Sequence, residues 1–580
     1  IGSAFTNPGL YIKDFLGTIT LDGMSANRNN YYGLYITGSP ASVTIKNATF
    51  NNNTWANTAF GTGLVIDLTG ARPVTLENIS AMNNTQNMGI YIVTQGAVTA
   101  KNVRAEGNRT FGMYVDNSFG TPQAVTISSS VFSNNTLGAS IGLLVYSYGN
   151  ITLNSVRAEY NSNTGVRLNN CLDSGGGTCT GSGGISITSP AAGGDAAANV
   201  FSRNGVYGLD ALSRGAISLF NFYADENAGG DGVFLSNDFN NSTAAVTVGA
   251  NIPNDMFGNV WYNSAYHNYY SGVMIMSKGA VSVSKVNASA NTGNNIEIAN
   301  WNVPDAAPKA VTLSYLYTSG IYSSSPFTYK GIYVETKGSV SAANITAVDH
   351  RYYGVEIDTC QYYGTKCLGS GGVTITSVGV PNNFSNNRWS GIRVEARGAI
   401  TLNNFLAQGN GAAGSYSGVV LINTYANSTG GISMDANLPQ PFVNQANGNT
   451  FRGIDVQSRF AILLGRTQVK DHSDGYGANI DNSGAATDQP VTVRFSEFNN
   501  NRTVGLYVQS RGQITLTNVS ASGTTFSGTG ARLYNQSGLG GVTVNTSGTY
   551  TNRFNYNGYY GLDIISRGAV ALTNVEAREN

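Results

Sequence analysis

Apolar and polar residues alternate with a period of two in short stretches along the chain. In the segment that starts at Gly505, Leu506 and Val508 alternate with Tyr507, and a Ser-Arg-Gly turn leads into a second alternating stretch. This period is typical of β-strands with one buried face, whereas an amphipathic helix repeats its apolar residues every 3.6 positions. The pattern predicts strands in which Leu506, Val508, Ile514 and Leu516 face inward and Tyr507 and Thr515 face outward.

The same unit recurs to the end of the sequence. Each copy starts with a glycine, holds three short apolar stretches separated by turns, and spans roughly 23 residues. Glycine and asparagine occur at the turns, and these two residue types best tolerate a positive φ. Three strands and three turns predict one triangular coil per copy. Clear copies begin at Gly89, Gly272, Gly331, Gly391, Gly505 and Gly561.

Longer copies with the same strands and expanded loops alternate with the short ones from about Gly89 onward. Examples begin at Gly112 and Gly232. About twenty coils at the ~4.8 Å spacing of paired strands would form a rod on the order of 100 Å long. We therefore expect residues 1–580 to form a single continuous repeat array.

These units resemble the right-handed parallel β-helix repeats of very long bacterial surface and extracellular proteins, and the resemblance covers the whole chain. It implies an all-β fold, a right-handed parallel β-helix (solenoid) of about twenty three-stranded coils. The scarcity of helix-forming residues beside abundant Val, Ile, Thr and Tyr favours the same class. The fold family also includes polysaccharide lyases, pectinesterase-like hydrolases and phage tailspikes, so the fold leaves the function open.

Stacked coils predict a column of asparagines at one corner. Their side-chain amides are expected to hydrogen-bond along the array as a ladder. Gly23, Ser155 and Lys285 interrupt the column. Its predicted members are Asn47, Asn78, Asn102, Asn221, Asn344, Asn404, Asn518 and Asn574.

A second column is predicted on the outward face, after the first apolar residue of each coil. Tyrosines there either stack on one another across coils or form a surface that binds glycans or another protein. The tyrosines are Tyr11, Tyr35, Tyr91, Tyr114, Tyr333 and Tyr507. Charged residues hold the same place in other coils: Arg167, Asp210, Glu297, Glu356, Arg393, Asp455, Arg532 and Asp563.

The four cysteines form two close pairs, each after a matching strand, GVRLNNC or GVEIDTC. We expect disulfides Cys171–Cys179 and Cys360–Cys367, each closing a short loop at the same corner of the repeat. Free thiols are the alternative, and one shared metal site is disfavoured because the pairs lie many coils apart. Disulfides favour an extracellular or cell-surface location.

Charge and motifs exclude several function classes. With 32 basic and 32 acidic residues, nothing attracts the chain to nucleic acid or to an anionic membrane. No apolar run approaches the ~18 residues of a membrane span, so we expect no membrane insertion of this segment. The sequence has no phosphate-binding loop, dinucleotide fingerprint, calcium repeat or zinc spacing, and we expect no cofactor and no metal.

Enzymes on this scaffold are expected to concentrate several carboxylates and a cation on one strand face. The sequence shows no dense cluster of this kind. Two weaker candidates are the segment Lys470-Asp471-His472-Ser473-Asp474 and His350, which lies between Asp349 and Arg351; both are expected at solvent-exposed corners.

Basic turns before glycine recur in every second coil. They either pair with acidic residues of the preceding strands or bind an anionic polymer. The basic residues are Arg214, Lys278, Lys337, Arg397, Arg511 and Arg567, and the acidic residues are Asp210, Glu335, Glu395, Asp455 and Asp563.

The regular repeat favours a structural or adhesive rod or fibre subunit of a bacterial cell surface, with no catalytic residue. The alternative is a carbohydrate-binding or carbohydrate-cleaving β-helix protein. Neither end of the sequence shows a polar capping coil, which predicts end-to-end self-association or continuation of the same chain. Surface glycans are the other expected partner.

Overall fold

The computed structural model describes residues 8–54, 61–171, 177–190, 198–250, 263–303, 307–320, 329–360, 362–363, 366–377, 379–435, 443–525 and 527–580. The chain divides into two compact units, Ile1–Gly293 and Asn294–Asn580, called unit 1 and unit 2 below. The described residues form β-strands and turns, and none of them lies in a helix.

The first sheet of unit 1 takes one strand from each coil, and neighbouring strands run parallel. Their register pairs equivalent residues, such as Tyr11 with Tyr35 and Tyr91 with Tyr114. The strands are Leu10–Lys13, Leu34–Gly38, Leu64–Leu68, Ile90–Val93, Phe111–Asn117, Ile141–Ser147, Val166–Asn169, Leu209–Leu212, Val233–Asn237 and Val273–Ser277.

The second sheet of unit 1 holds the other two strands of each coil, which meet at a corner. A single residue with a positive φ forms that corner, for example Asn221 between two short strands. The strands are Thr18–Asp22, Ser42–Thr49, Val74–Ser80, Val98–Arg104, Val125–Val131, Ile151–Arg157, Ile185–Thr188, Asn199–Val200, Ile217–Phe220, Phe222–Tyr223, Val246–Gly249, Asn263–Tyr266 and Val281–Ser289.

Unit 2 repeats this arrangement. Its first sheet contains Ile296–Asn300, Ile332–Thr336, Val355–Asp358, Ile392–Glu395, Val419–Asn423, Ile454–Ser458, Tyr476–Asp481, Val504–Gln509, Thr529–Asn535 and Leu562–Ser566. Its second sheet contains Val311–Ser319, Val340–Val348, Val373–Thr376, Asn382–Asn383, Ile400–Leu402, Phe405–Leu406, Ile432–Met434, Asn444–Gln445, Ile462–Gly465, Thr467–Gln468, Val491–Glu497, Ile514–Ser520, Val542–Asn545, Asn552–Arg553, Val570–Leu572 and Val575–Glu576. Tyr362–Tyr363 and Lys366–Cys367 form an antiparallel hairpin.

The predicted fold is confirmed: each unit is an all-β, right-handed parallel β-helix of three-stranded coils. The predicted facing of the strands is also confirmed. Leu506, Val508, Ile514 and Leu516 are fully buried, and Tyr507 and Thr515 are partly exposed. Alternation with a period of two therefore gave the correct orientation of these side chains.

The predicted asparagine column occupies one corner of the second sheet, where all its members have φ between 49° and 55°. A continuous amide ladder joins only its first members: Asn102 Nδ2 donates to Asn78 Oδ1, and Asn78 Nδ2 to Asn47 Oδ1, each at 2.8 Å. Asn221 and Asn404 instead donate to the carbonyls of Ser189 and Ser377. This corner is defined by the left-handed backbone more than by the amide chain, since Ser155 and Lys285 adopt it too.

A different, buried asparagine ladder runs through unit 1, at the corner that precedes each first-sheet strand. The Oδ1 of each later member accepts the backbone N–H of the member in the coil before it, at 2.8–3.2 Å. In most coils the side-chain Nδ2 donates to the same oxygen. The members are Asn29, Asn53, Asn84, Asn108, Asn135, Asn161, Asn204, Asn227, Asn268 and Asn291. This ladder satisfies polar groups that no water reaches.

The buried ladder explains the glycine that opens each copy. A Cβ atom on Gly63 would lie 2.8 Å from Asn84 Nδ2 and 2.7 Å from the carbonyl oxygen of Gly89. No real Cβ contact is that short, so a larger residue would push the coils apart. Close approach of neighbouring coils, and not a positive φ, therefore requires glycine at this place.

The expectation that His350 and His472 lie at exposed corners is wrong. Unit 2 has a buried ladder of the same kind, in which Asn387 donates its backbone N–H to Asn410 Oδ1 and Asn410 donates to Asn449 Oδ1, each at 2.8 Å. Both histidines occupy places in this ladder and are only 2% and 3% exposed. The His350 backbone N–H donates to Asn387 Oδ1 at 3.0 Å, and His472 Nδ1 lies 2.9 Å from the carbonyl oxygen of Asn449. A Cβ atom on Gly453 would lie 2.5 Å from His472 Nε2, just as a Cβ atom on other opening glycines would meet an asparagine amide. Both histidines therefore act as parts of the scaffold.

Replacing His350 with asparagine should reduce the loss of stability in acid. Burial lowers the pKa of His350 to about 3 from an ordinary value of 6.5. Between these two pH values His350 is protonated in the unfolded chain and neutral in the folded chain. The free energy of unfolding therefore falls as the pH drops from about 6.5 towards 3. Urea denaturation midpoints between pH 4 and pH 7 would measure this slope.

The exposed His267 provides the control, because its own positive φ is one that asparagine tolerates. His267→Asn should leave the pH slope unchanged. An equal slope in His350→Asn and in the unsubstituted protein would contradict the buried position of His350.

Candidate functional site

Ionisable side chains converge on the outward face of the first sheet of unit 2. Register places Glu297, Tyr333, Glu356 and Arg393 in one column of four successive strands. The neighbouring outward column holds Glu335, Asp358 and Glu395. We call Glu297, Lys330, Glu335, Glu356, Asp358, Arg393 and Glu395 the charged face. The expectation that no dense carboxylate cluster exists is therefore wrong.

Two cations link the buried carboxylates of the charged face. Arg393 Nη1 lies 2.9 Å from Glu356 Oε1, and Arg393 Nη2 bonds Glu395 Oε1. Lys330 Nζ bonds the other oxygen of Glu356 and lies 3.6 Å from the centre of the Tyr333 ring. Glu356 and Glu395 are 9% and 2% exposed. Their pairing compensates a burial that would be costly for isolated charges.

Asp358 and Glu335 hold their protons more tightly than ordinary carboxylic acids. Burial raises the pKa of Asp358 to about 6, and the charge of Glu335 adds to this rise, whereas the N–H of Cys360 opposes it. Burial likewise raises the pKa of Glu335. Asp358 Oδ1 accepts the Cys360 N–H at 2.6 Å, which fixes the carboxyl group at the end of its strand. The face therefore carries an acid that titrates close to neutral pH.

A disulfide loop borders the face at the carboxyl ends of these strands. Both predicted disulfides, Cys171–Cys179 and Cys360–Cys367, are present. In unit 2, Asn427 clamps Cys367: its Oδ1 accepts the Cys367 N–H at 3.2 Å and its Nδ2 donates to the Cys367 carbonyl at 2.8 Å. Tyr425 packs on both cysteines and donates to Glu395 Oε2 at 2.9 Å. The loop is thus tied to the charged face.

A row of aromatic rings borders the face at the opposite ends of the strands. Tyr329 stacks on Tyr352 at 5.4 Å between ring centres, and Trp389 stacks on Tyr416 at 4.5 Å. The ring of Trp389 meets Tyr352 edge-on at 4.3 Å, which joins the two pairs. These four residues, called the aromatic row, are partly exposed and come from four successive coils.

Tyr353 connects the aromatic row with the charged face. Its ring meets Trp389 edge-on at 5.2 Å. Burial raises its pKa to about 12, and the charges of Arg393 and Glu356 act on it in opposite directions. Tyr353 therefore remains a neutral hydrogen-bond donor next to the ion pairs.

The predicted tyrosine column has the expected register, but it is not uniform. Tyr11 stacks on Tyr35, and Tyr91 stacks on Tyr114, each pair at 5.2 Å between ring centres. Val65 separates the two pairs in the register. Cross-coil stacking of adjacent pairs is thus the contact these tyrosines make.

Two of the basic turns bond carbonyl groups of loops. Lys337 Nζ donates to the carbonyl of Val303 at 3.1 Å, and Arg397 Nε to that of Asn427 at 2.8 Å. Two of the acidic residues pair with other cations: Asp210 with Arg167, and Asp563 with Arg532. Both arrangements tie neighbouring coils together, and the pairing of the basic turns with the acidic residues of the preceding strands stays a prediction.

Comparison with known proteins agrees with this architecture. Residues 3–156 match the family model described as a right-handed β-helix region. The fold of the chain is a right-handed parallel β-helix. No curated protein matches this β-helix chain. Within the described ranges, no α-helix is long and apolar enough to cross a membrane. The same ranges hold no group of three or more His, Cys, Asp or Glu residues arranged to hold a metal ion.

Removing the unit 2 disulfide should disturb the site locally and leave the fold intact. Cys360→Ser with Cys367→Ser opens a loop of seven residues, and loops this short restrict the unfolded chain only modestly. Thermal unfolding should shift by a few degrees, whereas amide exchange near Cys360 and Asn427 should accelerate. Unfolding of the whole protein at 25 °C would contradict this account.

Proposed function

We propose that this β-helix is an extracellular or cell-surface adhesive protein whose unit 2 binds neutral polysaccharide chains. The site is the charged face together with the aromatic row. The observation that carries the proposal is the aromatic row itself, because partly exposed rings in successive coils suit the apolar faces of sugar rings. The two disulfides support an oxidising location outside the cytoplasm.

The charges of the face argue for a neutral ligand. The face contains two cations, Lys330 and Arg393, and five carboxylates: Glu297, Glu335, Glu356, Asp358 and Glu395. The face is net negative, so it repels uronate polymers, and its carboxylate oxygens accept hydrogen bonds from sugar hydroxyls. Glu335 and Asp358 remain partly exposed and are the acceptors best placed to do so.

Titration with a panel of neutral hexasaccharides, followed by calorimetry, tests the proposal. Trp389→Ala removes the centre of the aromatic row and should weaken binding about tenfold or more, which corresponds to about 1.4 kcal/mol. Tyr550→Ala, at a 58% exposed tyrosine outside the row, is the matched control and should bind like the unsubstituted protein. Failure of every neutral oligosaccharide to bind at millimolar concentration would sink the proposal.

Polygalacturonate serves as the charged counterpart of the neutral panel. We expect neither binding nor cleavage, because the face carries an excess of carboxylates that repels a polyuronate. Pull-down on immobilised polymer and release of unsaturated or reducing ends would measure both properties. Robust turnover of polygalacturonate would show that the charge argument is wrong.

Cleavage of the bound glycan is the second candidate function. The observation that favours it is the pKa of Asp358, which burial raises to about 6, because a general acid works best when its pKa is close to the working pH. Hydrolysis also needs a second carboxylate. Glu356 lies in the same strand as Asp358, and Glu335 lies beside Asp358 in the strand of the preceding coil. New reducing ends that disappear in Asp358→Asn, with binding retained, would establish this function.

A further inference from the structure

Unit 1 contains a second copy of the elements that surround the site in unit 2. The segment CTGSGGISIT after Cys171 matches CLGSGGVTIT after Cys360, and FNNST around Asn241 matches YANST around Asn427. The structural details match as well. Asn241 Oδ1 accepts the Cys179 N–H at 3.2 Å, and its Nδ2 donates to the Cys179 carbonyl at 2.9 Å. The same clamped disulfide loop therefore occurs in both units.

The strands next to this loop carry an ion pair in both units, but the arginine comes first in unit 1 and the acidic residue comes first in unit 2. Arg167 pairs in register with Asp210, and Arg167 Nε lies 2.7 Å from Asp210 Oδ2. In unit 2 the acid comes first and the arginine second, as Glu356 and Arg393. Unit 1 thus preserves an ion pair below its loop, although it lacks the additional carboxylates of unit 2.

The second oxygen of Asp210 has no hydrogen-bond partner among the residues that the structure describes. Asp210 is 6% exposed, and its Oδ1 is buried without a hydrogen bond. Leaving a buried acceptor unsatisfied costs about 1–3 kcal/mol. Buried carboxylate oxygens usually accept a hydrogen bond. An oxygen without one, next to the disulfide loop, therefore indicates a position where a ligand could donate a hydrogen bond.

Aromatic rings lie beside this oxygen. Phe234 follows Asp210 in the same outward column, and its ring centre lies 6.2 Å from that of Tyr207. Both rings are partly exposed. Burial raises the pKa of Tyr207, the charges of Asp231 and Asp210 add to this rise, and the charge of Arg167 opposes it. Two rings beside an idle acceptor repeat, on a smaller scale, the chemistry of the site in unit 2.

We propose that Arg167, Tyr207, Asp210 and Phe234 form a second binding site for neutral glycans, in which Asp210 Oδ1 accepts a sugar hydroxyl. This inference rests on the function proposed for unit 2 and extends it to two sites per chain. Having two rings in place of four, the unit 1 site binds a shorter stretch of sugar and binds it more weakly. Two sites on one chain raise the avidity for a polymer above that of either site.

Calorimetric titration of the full chain with a neutral hexasaccharide that binds tests this inference. The expected result is two sites per chain, with the weaker one at least tenfold below the stronger. Phe234→Ala should weaken the weaker site alone, and Trp389→Ala should weaken the stronger alone, each about tenfold or more. Asp210→Asn should act like Phe234→Ala. An asparagine side chain has one acceptor oxygen, and if this oxygen bonds Arg167, none remains to accept the sugar hydroxyl.

The outcomes separate the two proposals. One site per chain that Trp389→Ala weakens and Phe234→Ala leaves unchanged would overturn the second site and leave the proposed function standing. Absence of binding in the unsubstituted protein would overturn both. Hydrogen exchange provides an independent readout: the hexasaccharide should protect amides around Leu209–Leu212 and Val233–Asn237 in the unsubstituted protein and not in Phe234→Ala.

Discussion

Replacing Asn161 with leucine is expected to destabilise unit 1 by about 2–5 kcal/mol, because each buried donor that loses its acceptor costs about 1–3 kcal/mol. Asn161 Oδ1 accepts both the backbone N–H and the Nδ2 of Asn135, and its own Nδ2 donates to the carbonyl of Phe132. Leucine has a similar volume but satisfies none of these groups. The urea midpoint of unit 1, followed by amide exchange in its strands, would measure the loss.

The matched control lies in the other asparagine column. Asn102 is exposed, and its amide donates to Asn78 at the surface. Serine occupies the same left-handed corner at Ser155, with a φ of 53°. Asn102→Ser should therefore change the stability by less than about 1 kcal/mol. Equal losses in Asn161→Leu and Asn102→Ser would mean that the buried ladder does not hold unit 1 together.

Replacing Arg393 with methionine is expected to cost about 3–5 kcal/mol, since breaking a buried ion pair leaves an uncompensated charge. Glu395 is 2% exposed and would lose the guanidinium of Arg393, while the hydroxyl of Tyr425 would still donate to it at 2.9 Å. Glu356 would still have Lys330. The loss should be greatest at neutral pH and smaller in acid, where the stranded carboxylates bind protons. Thermal denaturation between pH 4 and pH 8 would record it.

Glu395→Gln provides the matched rescue. A glutamine accepts the Tyr425 hydroxyl without bringing a charge, so the double variant Arg393→Met with Glu395→Gln should recover most of the stability lost in Arg393→Met. No recovery would mean that packing of the long Arg393 side chain, and not charge compensation, determines the effect.

The repeat pattern was sufficient to predict the fold, because burial in a strand alternates with a fixed period and each coil repeats it. The residues at the corners were harder to interpret, because two corners of each coil hold asparagine. The exposed column that includes Asn78 and Asn102 was chosen, while the buried ladder through Asn84 and Asn108 was missed. The signal was available, since Asn84, Asn108 and Asn161 lie four or five residues before an opening glycine.

The charged face was predicted only in part. The repeat placed Glu297, Glu356 and Arg393 in one outward column, and the register of the strands agrees. The ion pair between Glu356 and Arg393 was not predicted, because the two residues lie 37 positions apart and an expanded loop separates strands that are neighbours in the sheet. At His350 and His472 the residue types themselves were misleading. Histidine next to aspartate is typical of catalytic sites, but burial in the ladder decides their role here.

A crystal structure of the protein with a bound neutral hexasaccharide tests the central claim most directly. The account predicts sugar rings stacked along Trp389 and Tyr416, with hydroxyl groups within hydrogen-bonding distance of Glu335 or Asp358. An oligosaccharide that occupies a surface away from the aromatic row, while Trp389 and the charged face remain uncovered, would contradict it.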